Sequence, residues 1–109
     1  MTEDLTPDQR EALTILQEEA AELIQGVSKM LRHGPDSVHP DGGQDGLTNE
    51  EHSSKEMAQL ICMMSVCHAT GLFQIPHGDS LARKWMMDKL ANLRRYSTID
   101  HAILDQIEL

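Results

Sequence analysis

Aromatic residues are nearly absent from this chain of 109 residues, which has one Trp, one Tyr and one Phe. Aromatic and β-branched side chains are the ones that best fit a pleated surface, so this composition disfavours a β-sandwich or a β-barrel. A core must instead be built from Leu, Ile, Ala and the seven Met residues, and this set favours helices. The composition therefore predicts an all-α protein.

Basic residues are also scarce, because nine Lys and Arg stand against 18 Asp and Glu and the formal net charge is −9. Such a chain repels a phosphate backbone, which argues against nucleic acid as a partner. A nucleotide that carries its own Mg²⁺ is a different case, since the metal supplies positive charge. No apolar run approaches the roughly 18 residues of a membrane span, and the acidic N-terminus lacks the features of a signal peptide. We therefore expect a cytoplasmic protein with no membrane partner.

Only two cysteines are present, Cys62 and Cys67. They are five residues apart in one predicted helix. At this spacing their side chains point to different faces of the helix and cannot form a disulfide with each other. We expect both thiols to be buried and reduced, as suits the cytoplasm. The six histidines show no zinc-binding spacing with these cysteines, which argues against a zinc site.

The first predicted helix begins at residues 6–9, Thr-Pro-Asp-Gln, with an N-cap Thr, a Pro in the first turn and a Gln that completes a capping box. Apolar residues then recur three and four apart as far as Leu31. This spacing predicts one amphipathic helix that ends near His33, where Gly34 and Pro35 stop it.

Residues 35–47 are dense in Gly, Pro and Asp and predict a long loop. Such loops in compact domains are typically either functional lids or mobile segments, and we expect this one to be mobile without ligand and to close over a bound nucleotide. A second capping box at residues 48–51 begins a helix that runs to about Thr70. From Met57 to Ala69 this helix is apolar on almost every side, so it must be covered all round. A short chain achieves that cover by forming a homo-oligomer, a dimer or a tetramer.

A third helix is predicted from Asp79 or Ser80 to about Tyr96, and a short terminal helix begins at Ser97 or Asp100. The expected fold class is therefore all-α, a helical bundle of about four helices that is completed by homo-oligomerisation.

A chain of this length builds one hydrophobic core, so we expect a single domain over residues 1–109. Five methionines are expected to fill that core rather than to form a binding surface. They are Met57, Met63, Met64, Met86 and Met87.

Acidic residues interrupt the inward-facing side of the first helix. Glu19 and Glu22 share an arc of this helix with Gly26, beside the main apolar stripe. Glu56 and Gln59 are three apart on the second helix and so lie on one face. Hard cations such as Mg²⁺ prefer several oxygen ligands, which facing helices of a bundle supply. These four residues are therefore candidate ligands, and the alternative is an acidic face that is merely solvated.

Several short motifs follow one another along the chain. Residues 16–25 read Leu-Gln-Glu-Glu-Ala-Ala-Glu-Leu-Ile-Gln and contain the pattern Glu-Glu-x-x-Glu, which residues 28–34 continue with a basic turn that ends in Gly. The loop contains His39-Pro40-Asp41, and Asn49 precedes the second helix. The last motif consists of Lys89-Leu90 and of Arg94, Arg95, Tyr96 and Ser97.

In this order, from about residue 12 to residue 97, the motifs resemble the all-α nucleoside triphosphate pyrophosphohydrolases of the MazG and dimeric dUTPase group. The similarity is greatest to small bacteriophage-type MazG members. The resemblance implies a cytoplasmic enzyme, in a bacterium or a phage-infected host, that converts a nucleoside triphosphate to the monophosphate and pyrophosphate. The implied cofactor is Mg²⁺, with Mn²⁺ as the alternative ion.

The resemblance also implies roles for individual residues. Glu19, Glu22, Glu56 and Gln59 would hold the metal, and Glu18 would act as the general base. The residues expected to bind the substrate are Lys29, Arg32, Lys89, Arg95 and Tyr96. For the lysines and arginines the alternative is that they are solvated cations near helix ends.

One position departs from the family pattern. The second motif of the family is Glu-x-x-Asp, and this chain has Glu56-Met57-Ala58-Gln59. A Gln carbonyl ligates Mg²⁺ through a dipole rather than a full charge, so the expected metal affinity is weaker or the number of metals smaller. The alternative function is therefore a weakly active or non-catalytic nucleotide-binding relic of the same fold.

Overall fold

The computed structural model describes residues 4–38 and 46–108. In this part of the chain there are four helices and no strand: α1 (Pro7–His33), α2 (Asn49–Ala69), α3 (Leu81–Tyr96) and α4 (His101–Leu104). The all-α prediction is confirmed. The central part of the predicted lid, with His39-Pro40-Asp41, lies outside the described residues, so the lid stays a prediction.

The two predicted capping boxes are present. At the start of α1 the Thr6 hydroxyl accepts a hydrogen bond from the Gln9 backbone N–H, and the Gln9 side chain accepts one from the Thr6 N–H, both at 3.1 Å. Thr48 and Glu51 repeat this exchange at the start of α2, again at 3.1 Å. Each box satisfies backbone donors that a helix end otherwise leaves unpaired, so both helices begin where the sequence places them.

The later helix boundaries are also local in origin. Ser80 caps α3, where its hydroxyl accepts from the Arg83 N–H at 3.1 Å, and Asp100 caps α4. Gly71 follows α2 with φ of +100°, a conformation that favours glycine over residues with a side chain. The chain therefore turns out of α2 at the predicted stop.

Two compact units make up the chain, Met1–Phe73 and Gln74–Leu109. The first is a hairpin in which α1 packs along α2. In the second, Arg94 on α3 forms an ion pair with Asp105 at 2.5 Å, and Leu104 is buried. The single-domain expectation for residues 1–109 stays a prediction.

Hydrogen bonds fasten the base of the connection between α1 and α2. Val38 and Thr48 form an isolated antiparallel bridge, and the Asn49 N–H donates to the Ser37 carbonyl at 2.8 Å. The buried Asn49 side chain donates to the Gly34 carbonyl at 3.1 Å. Asn49 therefore ties the end of α1 to the beginning of α2 and sets the alignment of the hairpin.

Gly26 of α1 and Ser53 of α2, both buried, lie against each other where the helices of the hairpin pack. A Cβ atom on Gly26 would lie 2.5 Å from the Ser53 Oγ, too close for two heavy atoms that are not bonded, and 3.4 Å from the Ser53 Cβ, at the edge of ordinary contact. A side chain at position 26 would therefore require the Ser53 hydroxyl or the helices to move.

Replacing Gly26 by Val should push the two helices apart and lower the free energy of unfolding by about 1–3 kcal/mol, although Val has the higher helix propensity. Urea denaturation measures the difference. The matched control is Ala21→Val at an exposed position of α1, which should change stability by about 0.5 kcal/mol or less. Equal effects of the two substitutions would show that the crossing does not depend on Gly26.

The described residues bury few apolar side chains. The buried hydrophobic residues are Ala12, Cys67 and Leu104. Met57, Met64, Met86 and Met87 are exposed, so the expectation that they fill the core of a single chain is wrong. Cys62 is also exposed, whereas both cysteines were expected to be buried; both are free thiols, as expected. The cause is that so small a unit buries only one face of each helix.

Exposed apolar side chains lie on both helices of the hairpin. On α1, the apolar stripe is half-buried from Leu13 to Leu23 and is exposed towards its end, where Val27 is 41% and Leu31 is 83% exposed. On α2, Met57, Ile61 and Met64 form a stripe whose members are 49%, 54% and 51% exposed. No helix of the described residues is both long enough and apolar enough to cross a bilayer. Contiguous apolar surface on a helix is typical of a protein–protein contact.

We predict that the chain forms a homo-oligomer that buries the α2 stripe. Static light scattering should give a mass at least about twice the 12.2 kDa of the chain. Ile61→Glu should shift the population towards the monomer, because an unpaired charge is costly to bury. Ala21→Glu, on the polar side of α1, should leave the mass unchanged. A folded wild-type monomer at micromolar concentration would contradict the prediction.

Candidate metal centre

Three carboxylates meet across the hairpin. Glu19 and Glu22, one turn apart on α1, face Glu56 on α2, and one potential ligand atom from each lies within 4.8 Å of the other two. We call these three residues the carboxylate cluster. The spacing of three residues puts both α1 carboxylates on the side that packs against α2, and the crossing at Gly26 brings Glu56 within reach.

Glu56 is the most buried member, with 6% of its surface exposed. Burial raises the pKa of its carboxyl above the ordinary value, because the charged form loses hydration. A hydrogen bond shared with the Glu22 carboxyl and the negative charges of Glu22 and Glu19 raise this pKa further, and the charge of Lys55 opposes them. Without a counter-ion the cluster therefore disfavours the ionised form of Glu56 and keeps its pKa above the ordinary value.

Several buried polar atoms around the cluster have no hydrogen-bond partner. They are Glu19 Oε2, Glu56 Oε2, Ser53 Oγ and His52 Nδ1. Folded proteins leave few such atoms, and a bound ion is one of the recognised reasons for them. Oxygen atoms of carboxylates are the ligands that a hard divalent cation prefers. The residues present therefore fit a divalent metal.

A cavity of about 240 Å³ adjoins the cluster. Its lining includes Glu22 and Glu56 from the cluster, and the remaining lining residues are Gln25, Gly26, Lys29 and His52. Lys29 is the only Lys or Arg among them. The cavity therefore combines metal-binding carboxylates with a cation that can pair with an anionic group.

Two larger hollows lie away from the carboxylate cluster. One of about 720 Å³ lies in the second unit around His77, Arg83 and Glu108. The other, of about 670 Å³, lies along α1 between Ile24 and Arg32. Neither is lined by a residue of the carboxylate cluster. Size alone does not identify a site, and the cluster is the better candidate because one carboxylate oxygen of Glu19 and one of Glu56 are buried without a partner.

Two of the residues expected at the metal site lie at its edge or outside it. Glu18 is exposed on α1, next to Glu19 in the chain. Gln59 is exposed on α2 and does not line the cavity. Of the predicted ligands, the structure therefore brings Glu19, Glu22 and Glu56 together, and Gln59 stays a prediction.

The residues expected to bind the substrate are divided between the two units. Lys29 lines the cavity, and Arg32 lies about one turn further along α1, in the hollow of about 670 Å³. Lys89, Arg95 and Tyr96 are exposed on α3 in the second unit. There the Arg95 guanidinium lies 5.3 Å from the centre of the Tyr96 ring, within the range of a cation–π contact. The roles of the α3 residues stay predictions.

The sequence interpretation did not include His52 and Ser53 among the site residues. His52 precedes Glu56 by four residues, and its Nε2 lies 3.4 Å from the Glu56 Oε1. That spacing on a helix is a signal that can be read from the sequence. The position of Ser53 against Gly26 is different, because it depends on how the helices cross.

Comparison of the chain with protein-family models, with curated proteins and with solved structures finds no match. The similarity to the MazG group therefore stays a resemblance in motifs, and the candidate site is supported by its own geometry.

Glu56→Gln should stabilise the metal-free protein at neutral pH. Because the folded-state pKa of Glu56 is raised, protonation of this residue stabilises the fold fully below the unfolded value, near 4.5, and this stabilisation is lost as pH rises through the folded pKa. The advantage of the variant should therefore shrink as pH falls through the folded-state pKa of Glu56 and be absent below about 4.5. Thermal unfolding at several pH values measures it.

Added Mg²⁺ supplies the complementary measurement. It should raise the Tm of the wild type, because a ligand that binds only the folded state stabilises it, and should hardly change that of Glu56→Gln. The pKa of Glu51 is shifted in the opposite direction to that of Glu56, because hydrogen bonds with Thr48 lower it. Ionised Glu51 therefore stabilises the fold at neutral pH, and Glu51→Gln should destabilise the protein there. A wild-type Tm that is insensitive to Mg²⁺, together with no gain from Glu56→Gln, would contradict a metal centre.

Proposed function

We propose that this protein is a divalent-metal-dependent nucleotide pyrophosphohydrolase that converts a nucleoside triphosphate to the monophosphate and pyrophosphate. The observation that carries the proposal is the carboxylate cluster with its nearly buried Glu56, whose Oε2 lacks a partner. Together with the ordered motifs, above all the Glu-Glu-x-x-Glu pattern at residues 18–22, this cluster favours chemistry on a metal-bound polyphosphate. Mg²⁺ is the proposed ion, with Mn²⁺ as the alternative.

The chain supplies groups for each part of the reaction. A bound metal would polarise the phosphate oxygens and acidify the attacking water. Glu18 is exposed beside the cluster and is free to accept the proton of that water, since it is not needed as a ligand. Lys29 lines the cavity and can pair with a phosphate oxygen. Positioning and charge neutralisation would then provide most of the rate acceleration.

The rest of the substrate needs contacts beyond the cavity. At about 240 Å³ it is smaller than the range of about 300–1,000 Å³ that is typical of small-molecule pockets. We propose that Arg32, Lys89, Arg95 and Tyr96 also bind the substrate, and that the protein acts as a homo-oligomer, either a dimer or a tetramer. The proposed location is the cytoplasm of a bacterium or of a phage-infected host.

A second candidate function is a nucleotide-binding protein without catalysis. The observation that favours it is Gln59, which is exposed and lies at the position where the related family has an Asp ligand. With three carboxylates instead of four, the site holds a metal less tightly. Nucleotide would still bind through its metal, while turnover would be slow or absent.

Turnover and metal binding in three variants separate the two candidates. Glu56→Gln should lower Mg²⁺ affinity and kcat/KM by at least about tenfold, because it removes a charge from the cluster. Glu18→Gln should lower kcat by about 100-fold while metal affinity stays within about twofold, as expected of a general base outside the coordination sphere. Gln59→Asp should raise both affinity and activity. Calorimetry and pyrophosphate release measure these changes.

The substrate is identified by screening common and modified nucleoside triphosphates with and without Mg²⁺.

Glu11→Gln is the control for the three variants, because Glu11 is exposed on α1 and lies outside the site. Metal-dependent nucleotide binding without pyrophosphate release would favour the non-catalytic candidate. If Glu56→Gln and Glu18→Gln both behave like Glu11→Gln, the acids are a solvated helix face and the proposed function is wrong.

A further inference from the structure

His52 extends the candidate metal centre beyond its carboxylates. It lies one turn before Glu56 on α2, and its imidazole lines the cavity together with Glu22 and Glu56. Only about a fifth of its side chain is exposed, at 21%. The imidazole is not one of the three groups that lie within 4.8 Å of one another. It lies beside the carboxylate cluster, where the cavity is lined by Glu22 and Glu56.

The distance between His52 and Glu56 is informative. The His52 Nε2 and the Glu56 Oε1 are 3.4 Å apart, which is longer than an ordinary N–H···O hydrogen bond of about 2.7–3.2 Å. Two donors bound at about 2.0–2.2 Å to one tetrahedral ion lie roughly 3.4 Å from each other. The spacing of the pair therefore fits two ligands of one ion, and without an ion the two side chains are close enough for an ion pair.

The same helical spacing serves metal binding in other proteins, because residues four apart on one face can both reach a single ion. Here the nitrogen donor of the pair is His52 and the oxygen donor is Glu56. The other carboxylate in the lining of the cavity, Glu22, comes from the facing helix. The Oε2 of Glu56 and the Nδ1 of His52 are both buried without a partner.

We propose that His52 is a metal ligand, and that the centre is a mixed imidazole–carboxylate site that selects a borderline divalent ion such as Co²⁺, Fe²⁺ or Zn²⁺ over Mg²⁺. This inference rests on the metal site of the proposed function and concerns the ion that the site prefers. Imidazole nitrogen binds these ions well, whereas Mg²⁺ prefers sites made of oxygen alone. His52 therefore adds affinity for borderline ions and little for Mg²⁺.

The proposal is separate from a zinc site of the Cys/His kind. Cys67 is buried and Cys62 is exposed, and neither lines the cavity. His68, the other histidine of α2, uses its Nδ1 to contact the Phe73 carbonyl at 2.7 Å. Among the histidines and cysteines of α2, His52 is therefore the residue assigned as a metal ligand.

The experiment compares Co²⁺ and Mg²⁺ binding to the wild type and to His52→Ala, by calorimetry and by the visible ligand-field bands of Co²⁺. His52→Ala should lower Co²⁺ affinity by about 10–100-fold and change the visible spectrum, while Mg²⁺ affinity stays within about threefold. His33→Ala is the matched control, because His33 is exposed at the end of α1 and lies outside the cavity lining. Its affinities should equal those of the wild type.

A second measurement avoids any dependence on the folding of the variant. Zn²⁺ is titrated into the ¹⁵N-labelled wild type, and the imidazole nitrogen of His52 should show the chemical-shift change of a metal-bound nitrogen.

A second variant, His52→Gln, keeps a polar side chain of similar reach and should fold, yet it should lose the preference for Co²⁺.

The outcomes separate this inference from the proposed function. If His52→Ala and His52→Gln keep the wild-type ratio of Co²⁺ to Mg²⁺ affinity while Glu56→Gln loses both ions, the metal site stands and His52 is not a ligand. An unshifted His52 nitrogen at saturating Zn²⁺ would also overturn the inference. If Glu56→Gln binds both ions like the wild type, the metal centre itself is wrong.

Discussion

The close crossing of α1 and α2 at Gly26 and Ser53 is the contact on which the rest of the site depends. Because position 26 has no side chain, the helices approach until a Cβ there would lie 2.5 Å from the Ser53 hydroxyl oxygen. Glu22 lies one turn before Gly26, and Glu56 lies one turn after Ser53. The crossing therefore forces carboxylates from both helices to within 4.8 Å of one another. A wider hairpin would leave the same acids separately solvated.

This arrangement is unfavourable for the protein by itself. Burial and the negative charges of Glu22 and Glu19 disfavour ionised Glu56, and buried oxygens remain without partners. A divalent cation removes both difficulties, because it neutralises the repulsion and satisfies the oxygens. Metal binding and stability are therefore expected to be linked. The preference for an ion would depend on whether nitrogen from His52 joins the carboxylate oxygens.

The contact between α1 and α2 buries small residues beside the carboxylate cluster and leaves several large apolar side chains exposed. The α1 face that meets α2 contains Ala12 and Gly26, both buried, together with the acids. The end of the α1 stripe, at Val27 and Leu31, and the stripe of Met57, Ile61 and Met64 on α2 remain exposed. Burying them against a second copy would recover the hydrophobic stabilisation that the short chain lacks. The proposed oligomer thus follows from the same geometry as the site.

The sequence by itself determined the all-α class and the helix boundaries, because capping boxes at Thr6 and Thr48 and the stop at Gly71 act through neighbours in the chain. It also placed Glu19, Glu22 and Glu56 among the candidate ligands, since helical spacing fixes which side chains share a face. Only the tertiary structure decided which faces meet. It buried Gly26 of α1 against Ser53 of α2, left the end of the apolar stripe at Leu31 exposed, left Gln59 exposed and brought His52 to the cavity. These outcomes depend on the crossing of two helices, and local spacing does not specify how helices cross.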